Sequence, residues 1–378
     1  MDLNIITLNV PYPPDYGGMI DSFYRIKWLK EAGVNIHLHC FQYGRAHSKE
    51  LEELCFSVNY YPRNRPVSYL FSKLPYIVSS RVSKRLLENL KSNYYPILFD
   101  GIHSTFYLYH PDLTERKKAL RTHNIEHQYY KSLAEIEKNI FRRLIYKYEA
   151  SLLKEYEEKI DSSVNILTIS RRDNEYFKKI VQNTFIIPPF HPYEKVISSA
   201  GKGDYILYNG DLSVRENSLI AEEIIINVFS KIKFNCIVAG KKPPASLYSL
   251  AAGSGNVKLV ADPDSIRMED LVKNAHINIL PSGTANGFKL KHLIALYAGR
   301  FCILNNIAAN SFIENAQFHV ADSYPEMVNQ IKNLMNEKFT SEMKEMREKI
   351  IEKEFSNQDN VRRVIDIIFD STLKECNK

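Results

Sequence analysis

The chain has 378 residues, of which 44% are hydrophobic and 25% are charged, and its formal net charge at pH 7 is +6. This length exceeds what one hydrophobic core usually serves, so we expect two domains. The composition excludes a disordered protein, because it supplies enough apolar surface to offset the entropy that ordering costs. No apolar run approaches the ~20 residues that span a bilayer, and no signal peptide is evident at residues 1–10. We therefore expect a globular cytoplasmic protein.

In the first half of the chain, short apolar runs alternate with amphipathic runs, as is typical of a parallel sheet wrapped by helices. The predicted strands are Leu3 to Asn9, Val34 to Phe41, Pro96 to Phe99, Lys118 to Thr122 and Ile166 to Ser170. A helix should follow the turn-rich run 11–18, because Ile20, Phe23 and Tyr24 have helical spacing. Gly33 stands where this helix would be capped.

The same alternation restarts after a proline cluster at 186–192, which interrupts both helix and strand. The predicted strands are Tyr205 to Asn209, Phe234 to Ala239, Val257 to Val260, Ile277 to Leu280 and Phe301 to Leu304. The predicted helices are Leu219 to Lys231, Lys291 to Ala298, Ser341 to Glu354 and Asn357 to Lys374. The sequence thus predicts an α/β protein with two Rossmann-like domains, 1–187 and 188–355, that face each other across a cleft. The C-terminal helix, 356–378, should pack back towards the first domain.

Two loops of the first domain are candidate binding sites, since ligands of doubly wound sheets bind beyond the carboxyl ends of the strands. In the run Asp15-Tyr-Gly-Gly18, the backbone of Gly17 and Gly18 is open to a phosphate or sugar oxygen, although a tight turn also explains the pair. Arg25 follows on the helix, where a surface position is the ordinary interpretation.

The second of these loops follows the predicted strand Lys118 to Thr122. His123 and Glu126 stand where side chains hydrogen-bond sugar hydroxyls or move a proton. We treat His123 as a candidate catalytic residue. Glu126 is a candidate for the acceptor side, and the alternative is that it only caps the following helix.

The second domain offers two further loops. One is the run 210–217, in which Gly210, Arg215 and Asn217 are candidate donor-binding residues. The other leads into the predicted helix at 291–298. A glycine before a helix start, with lysines on its first turn, suits a diphosphate, because backbone donors, helix dipole and ammonium charge converge. The candidates there are Gly287, Phe288, Lys289 and Lys291.

A basic stretch between Tyr61 and Lys91 also carries apolar residues, and it predicts either a contact with an anionic membrane surface or a solvated helical face. The basic residues are Arg63, Arg65, Lys73, Arg81, Lys84, Arg85 and Lys91, and the apolar ones include Tyr69, Leu70, Phe71, Ile77 and Val78. No nucleic-acid motif accompanies the charge, so we do not expect nucleic-acid binding.

Metal and disulfide chemistry are not expected. The one Asp-x-Asp pair, Asp262-Pro-Asp264, contains a proline and reads as a turn rather than as a Mg²⁺ site. The cysteines are odd in number, widely spaced and without CxxC pairing, which indicates reduced core residues. They are Cys40, Cys55, Cys236, Cys302 and Cys376.

These motifs in this order resemble the retaining GT-B glycosyltransferases, the large family that includes bacterial mannosyl- and glucosyltransferases of lipopolysaccharide and capsule assembly. The family's PxPPxxGG loop is matched by 11–18, its strand-end histidine by His123 and its glycine turn by 210–217. Its segment Gly-x-x-x-Lys-Leu-x-Glu-Ala-Leu-x-x-Gly-x-Pro is matched by 287–301. The resemblance implies a nucleotide-diphosphate sugar as co-substrate, a glycan or lipid-linked acceptor, His123 beside the donor sugar, and no metal or other cofactor.

The chain departs from this pattern at several positions. The family's ribose-binding carboxylate is Ile294 here, and its upstream partner carboxylate falls at or near Asn286. The proline after Gly-x is Phe301, and the basic residue after the glycine of the turn is Asp211, with Arg215 as a substitute. The diphosphate site is thus partly kept, whereas ribose recognition is rebuilt or lost.

Two functions therefore remain open. The first is an active, metal-independent hexosyltransferase of cell-surface polysaccharide synthesis, with Lys291, assisted by Lys289 and Arg215, on the diphosphate. The second is a GT-B-like protein that has lost catalysis and serves as a binding or scaffolding partner of an active transferase. The missing carboxylates are what favour the second.

Overall fold

The computed structural model describes residues 1–369 except 65–72, 285–286, 311 and 313–316. The chain divides into two compact units. Unit 1 comprises Met1–Pro192, Asn286–Phe288 and Phe355–Lys378, and unit 2 comprises Tyr193–Ala285 and Lys289–Glu354. Unit 1 thus extends five residues beyond the predicted end of the first domain at 187, and it takes back the C-terminal segment of the chain.

Unit 1 is built on a parallel sheet in which seven strands are described, in the order β3-β2-β1-β4-β5-β6-β7. The strands are β1 (Asp2–Thr7), β2 (Asn35–Gln42), β3 (Ser57–Pro62), β4 (Ile97–Asp100), β5 (Lys118–Thr122), β6 (Val164–Thr168) and β7 (Thr184–Ile186). The direction of strand addition reverses between β1 and β4, which makes their carboxyl ends the expected binding edge.

Helices flank this sheet. They are α1 (Gly17–Glu31), α2 (Lys49–Leu54), α3 (Tyr76–Ser79), α4 (Lys84–Lys91), α5 (Glu126–Ile136), α6 (Ile140–Glu157) and α7 (Arg171–Lys178), with α15 (Asn357–Phe369) from the end of the chain. α15 packs beside α1, and its Val361, Val364 and Ile368 join the core formed by Leu3 and Ile5 of β1. This burial of apolar residues explains why the C-terminal segment belongs to unit 1.

Unit 2 is built on a second parallel sheet, with six described strands in the order β10-β9-β8-β11-β12-β13. The strands are β8 (Tyr205–Asp211), β9 (Asn235–Lys241), β10 (Val257–Ala261), β11 (Ile277–Ile279), β12 (Phe301–Leu304) and β13 (His319–Val320). Its helices are α8 (Arg215–Asn227), α9 (Ala245–Ala252), α10 (Ser265–Asn274), α11 (Leu290–Ala298), α12 (Asn306–Ala309), α13 (Tyr324–Leu334) and α14 (Ser341–Phe355). Here the reversal falls between β8 and β11.

The predicted α/β class with two Rossmann-like domains is confirmed. Each predicted strand is present to within two residues at either end, whereas three strands were missed, all of them at sheet edges. β3 has the sequence SVNYYP, and only one of its residues is fully buried. Its sequence therefore contains no continuous apolar run. β7 and β13 have three and two residues, too few for any periodicity to show.

In the predicted amphipathic stretch 61–91, most apolar residues that the structure describes are buried, and Leu74 is 36% exposed. Ile77 and Val78 are 3% and 0% exposed and belong to the core of unit 1, together with Leu86 and Leu90. The described part of the stretch is therefore mainly a set of core-forming helices, with Lys73, Lys84, Arg85 and Lys91 exposed and Arg81 buried. Arg65, Tyr69, Leu70 and Phe71 lie outside the described residues.

The cysteines that the structure describes, Cys40, Cys55, Cys236 and Cys302, are free and buried, and Cys376 lies outside the described residues. Among the helices described, none combines the length and the apolar character that crossing a bilayer requires.

The close approach of β8 and β9 yields a stability prediction. A Cβ atom added at Gly240 would lie 1.9 Å from the backbone oxygen of Gly210, where the backbone must shift to admit it. Gly240→Ala should therefore lower the free energy of unfolding by roughly 1–3 kcal/mol, as overpacking does. Gly255→Ala is the matched control, because no atom lies within 4 Å of its added Cβ. Equal denaturant midpoints for the two variants would contradict the described strand pairing.

Candidate functional site

A buried network of opposite charges lies at the reversal point of the unit 1 sheet. Asp21 of α1 accepts two hydrogen bonds from Arg121 of β5, at 3.0 and 2.7 Å, and one at 2.6 Å from Arg25. Arg25 also forms an ion pair at 2.7 Å with Asp100, the last residue of β4. These four side chains are at most 4% exposed. The pairing offsets the desolvation that burial imposes on each charge.

The network also fixes the chain after β7. Arg121 donates to the backbone oxygens of Ile187 and Pro188, and the backbone N–H of Phe190 donates to Asp21 at 2.8 Å. Burial alone would raise the pKa of Asp21, but Arg121 and Arg25 hold that pKa well below its usual range. Asp21 therefore stays charged throughout the ordinary pH range.

Arg25 corrects the interpretation drawn from the sequence, which favoured a surface position. It is 0% exposed and lies between two carboxylates. Burial alone would lower its pKa, yet Asp100 and Asp21 hold the pKa of Arg25 above its usual value. Its role in the described residues is to hold α1 against β4, since its charge is already matched.

His123 follows β5 directly and lies against the same carboxylates. Its Nε2 atom is 3.3 Å from Asp100 Oδ1 and 3.5 Å from Asp21 Oδ2. The side chain is 11% exposed. Both carboxylates lie on the Nε2 side of the ring, so Nδ1 is the ring nitrogen that we consider for a ligand. The carboxylates of Asp100 and Asp21 thus lie beside the predicted catalytic residue, and the sequence did not reveal either neighbour.

Glu126 is not a capping residue. It is the first residue of α5, but the helix begins without a side-chain cap, and Glu126 is only 3% exposed. Burial, with a contribution from the charge of Glu157, raises the pKa of Glu126 to about 8. At neutral pH it is therefore mainly a protonated acid, able to donate as well as accept a hydrogen bond.

The loop before α1 is more open. Asp15 and Gly17 are exposed, and Asp15 pairs with Arg45. Asp15 and Arg45 help to line a cavity of about 600 Å³, together with Tyr12, His47 and Glu50. Gly18 has room for a Cβ atom, with Tyr16 as its nearest neighbour at 3.7 Å, so space alone does not require glycine there.

In unit 2, the predicted donor residues meet at the reversal point between β8 and β11. The Lys291 ammonium lies 3.4 Å from the backbone oxygen of Asn209, 3.5 Å from Asn217 Oδ1 and 5.2 Å from the centre of the Tyr208 ring. None of these groups carries a negative charge. Burial, reinforced by the nearby charge of Lys289, lowers the pKa of Lys291 to about 8.

Glu216 of α8 is a site residue that sequence reasoning missed. Its carboxylate accepts hydrogen bonds from the backbone N–H groups of Gly283 and Thr284, at 3.2 and 3.1 Å, and lies 3.7 Å from the Lys289 ammonium. It therefore holds the loop after β11 and partly neutralises Lys289. Arg215, the residue before it, is exposed, and the described residues form no ion pair with its side chain.

The remaining donor-side candidates differ in their surroundings. Gly210 packs against Asn217, whose Cγ would lie 3.3 Å from an added Cβ. Gly287 has a φ of +64°, a backbone conformation that favours glycine, and a Cβ atom there would displace the Asn124 side chain, whose Oδ1 would lie 2.0 Å away. Phe288 contacts Phe355, with ring centres 5.8 Å apart. Asn286 lies outside the described residues, and Ile294 offers no carboxylate.

The acids that suggest a metal already have partners. Asp264 caps α10, and Asp262 accepts from the backbone N–H of Lys242 at 2.8 Å. Asp21, Asp100 and His123 bring potential ligand atoms within 4.8 Å of one another. However, two guanidiniums already occupy these carboxylates, so the group does not fit a metal ion. That no metal takes part in the reaction stays a prediction.

Residues 203–337 match the family described as "Glycosyl transferases group 1". A protein of Klebsiella pneumoniae, described as an uncharacterized 44.6 kDa protein in the cps region, is 26% identical over 328 residues, which cover 81% of this chain and 83% of that protein.

Solved structures share the fold over nearly the whole chain. WaaG, a glycosyltransferase involved in lipopolysaccharide biosynthesis, has a TM-score of 0.64 at 12% identity, covering 97% of this chain and 99% of WaaG. HepE of Anabaena, in complex with UDP and glucose, has a TM-score of 0.65 at 10% identity, covering 98% of this chain and all of HepE. The resemblance to GT-B glycosyltransferases is thus confirmed. The chain has the GT-B fold, and its residues 203–337 match the group 1 glycosyl transferase family.

The charge network yields a second prediction. Asp21→Asn leaves two buried guanidiniums with one carboxylate, so we expect a loss of about 3–5 kcal/mol in the free energy of unfolding. Asp359→Asn is the control, because Asp359 forms an exposed pair with Arg362 at 3.4 Å. Such pairs contribute at most about 1 kcal/mol. Urea unfolding measures both changes, and an Asp21→Asn loss no larger than that of the control would contradict the network's structural role.

Proposed function

We propose that the protein is an active, metal-independent hexosyltransferase that moves a sugar from a nucleotide-diphosphate sugar to a glycan or lipid-linked acceptor in cell-surface polysaccharide synthesis. The observation that carries this proposal is Lys291, a partly buried ammonium at the reversal point of the group 1 domain, with neutral oxygens around it. The cps-region relative and WaaG support the polysaccharide context. Since nucleotide sugars are made in the cytoplasm, we propose that location as well.

Lys291 suits the chemistry because transfer builds negative charge on the departing diphosphate. A cation held there stabilises the transition state more than the ground state. Its contacts in the described residues are long, at 3.4 and 3.5 Å, and with neutral groups, so its charge is available to a ligand. Lys289 shares its charge with Glu216, so we assign it the smaller part.

His123 has a proposed role in unit 1. Because Asp100 and Asp21 lie on its Nε2 side, the ring is oriented, and Nδ1 is the atom proposed to contact a sugar hydroxyl. The family resemblance implies that the anomeric configuration is retained. NMR assignment of the product anomer would test this, and an inverted product would contradict it.

The binding-partner alternative rests on Ile294, which replaces the family's ribose carboxylate. A measurement of donor turnover distinguishes this alternative from the proposed activity. An active enzyme releases nucleoside diphosphate when donor and acceptor are supplied, and does so in EDTA, because lysines rather than a metal stabilise the leaving group. A protein that binds nucleotide sugars but never turns them over would support the alternative.

The third prediction concerns the size of the Lys291 contribution. Lys291→Ala should lower kcat by on the order of 10²-fold with a smaller effect on KM, because the interaction strengthens in the transition state. Lys258→Ala, which removes an exposed lysine on β10, is the matched control. Unchanged turnover in a folded Lys291→Ala protein would remove this assignment.

The fourth prediction is a pH dependence. The ammonium form of Lys291 is needed, so kcat/KM should fall as the pH rises through about 8, the pKa of Lys291 in the free protein. Lys291→Arg, whose guanidinium stays charged, should keep its kcat/KM across this range. The same alkaline fall in both proteins would show that another group causes it.

A further inference from the structure

Two arginines of unit 1 lie side by side. Arg81 is 3% exposed and donates to the backbone oxygens of Leu8, at 2.9 Å, and Ile77, at 2.7 Å. The Ser80 hydroxyl accepts from Arg63 Nε at 3.2 Å and from Arg81 Nη1 at 3.4 Å. The two guanidiniums therefore share one oxygen atom, just beyond the carboxyl end of β1.

Neither arginine has a carboxylate within ion-pair distance among residues 1–64 and 73–369 that the structure describes. This contrasts with Arg25 and Arg121, which are 0% exposed and are matched by Asp21 and Asp100. Burial, with the charge of Arg63, lowers the pKa of Arg81 to about 9. An unmatched buried charge is costly, and a bound anion would offset that cost.

The surroundings orient the pair without neutralising it. The Arg63 guanidinium lies 4.3 Å from the centre of the Tyr43 ring and 5.3 Å from that of Tyr76. Nearby, His103 Nδ1 is buried without a hydrogen-bond partner in the described part of the chain. Burial, and then the charge of Arg81, keeps the pKa of His103 well below its usual value, so the ring is neutral.

We propose that Arg63 and Arg81 bind a phosphate group of the acceptor. Planar guanidiniums present paired N–H donors that match the oxygens of a phosphate or diphosphate. The site lies at the same edge of the unit 1 sheet as His123 and is distinct from the lysines of unit 2. The assignment to the acceptor rests on the proposed function and specifies a phosphorylated acceptor class.

Phosphate binding can be tested without turnover. Thermal shift with inorganic phosphate and with pyrophosphate is measured on the Lys289→Ala/Lys291→Ala protein, so that the predicted donor lysines do not contribute. Both anions should raise Tm, and Arg63→Gln and Arg81→Gln in that background should weaken binding at least tenfold, as loss of a charge-assisted hydrogen bond does.

The control is Arg362→Gln, which removes an exposed arginine paired with Asp359. Should Arg81→Gln fail to fold, Arg63→Gln still decides, because Arg63 is only partly buried. Vesicles containing phosphatidic acid form a further arm. If free phosphate raises Tm, a soluble phosphate group is sufficient for binding. If only the vesicles raise Tm, the ligand is a lipid headgroup. Equal shifts in the Arg63→Gln and Arg362→Gln proteins, or no shift with any of these probes, would overturn the proposal.

A different observation concerns α6, whose first three turns expose a continuous apolar face. The side chains are Ile140, Phe141, Leu144, Ile145 and Tyr148, which are 55%, 75%, 58%, 45% and 41% exposed. Residues at this spacing share one side of a helix. Clustered exposure of this kind marks an interaction surface, whereas isolated apolar residues on a surface need no explanation.

Positive charge borders this α6 face. Lys138, Arg142, Arg143 and Lys147 are exposed, and none pairs with a carboxylate of a described residue. We infer that the α6 face docks on an anionic lipid bilayer, since apolar insertion and basic flanks together suit such a surface. The membrane contact predicted at 61–91 is thereby placed on a different element.

Flotation with vesicles tests this docking. The protein should bind vesicles containing phosphatidylglycerol and not those of phosphatidylcholine alone. Arg143→Gln with Lys147→Gln should lower the partition coefficient ~30-fold, given ~1 kcal/mol for each basic residue near the surface. Phe141→Asp with Leu144→Asp should abolish binding.

The control for the apolar change is Ile266→Asp, at a side chain 77% exposed on α10. Equal loss with this control would overturn the inference. So would a dimer in solution, without lipid, that Phe141→Asp dissociates, because the face would then be an interface between copies of the chain.

Discussion

The buried pairing of Asp21 and Asp100 with Arg25 and Arg121 is the interaction on which the first unit depends. It joins α1, β4 and β5 at the point where the sheet reverses, and through Arg121 it fixes the backbone at 187–188. A parallel sheet leaves a crevice at this point. Here oppositely charged side chains pair with one another, and the Nε2 atom of His123 lies 3.3 Å from Asp100 and 3.5 Å from Asp21.

The charges of unit 2 are arranged in the opposite way. At the reversal point of its sheet, Lys291 contacts neutral oxygens and an aromatic ring, whereas Glu216 forms its ion pair with Lys289. Matched charges stabilise a fold, whereas an unmatched cation is available to a substrate. In unit 1, Arg25 is likewise matched by carboxylates, whereas Arg63 and Arg81 are not matched by a described carboxylate. We therefore assign a structural role to Arg25 and a binding role to Arg63 and Arg81.

Much of the fold could be predicted from the sequence, because strands buried on both faces read as uninterrupted apolar runs. Lys118 to Thr122 and Phe301 to Leu304 were predicted at their observed bounds. Edge strands such as β3 were missed because they are only half-buried. The positions of His123 and Lys291 after their strands were also readable, since they follow from strand order.

What could not be predicted is the choice of partners. Arg121 meets Asp21 from 100 residues away, and nothing local to Arg25 showed that it lies between two carboxylates. Glu216 was not among the candidates, because nothing in the sequence showed that its carboxylate accepts from the backbone at 283–284. The exposed apolar face of α6 was also missed, because the spacing of its apolar residues is the same as that of a helix packed in a core.

We propose that Lys291 of unit 2, assisted by Lys289, binds a nucleoside diphosphate without a metal. Calorimetric titration of nucleoside diphosphates in EDTA tests it most directly, with wild type compared against the Lys289→Ala/Lys291→Ala protein. The account predicts saturable binding to wild type that the double change weakens by about 100-fold, or roughly 2.7 kcal/mol. Binding that requires Mg²⁺, or that is unaltered by loss of both lysines, would contradict it.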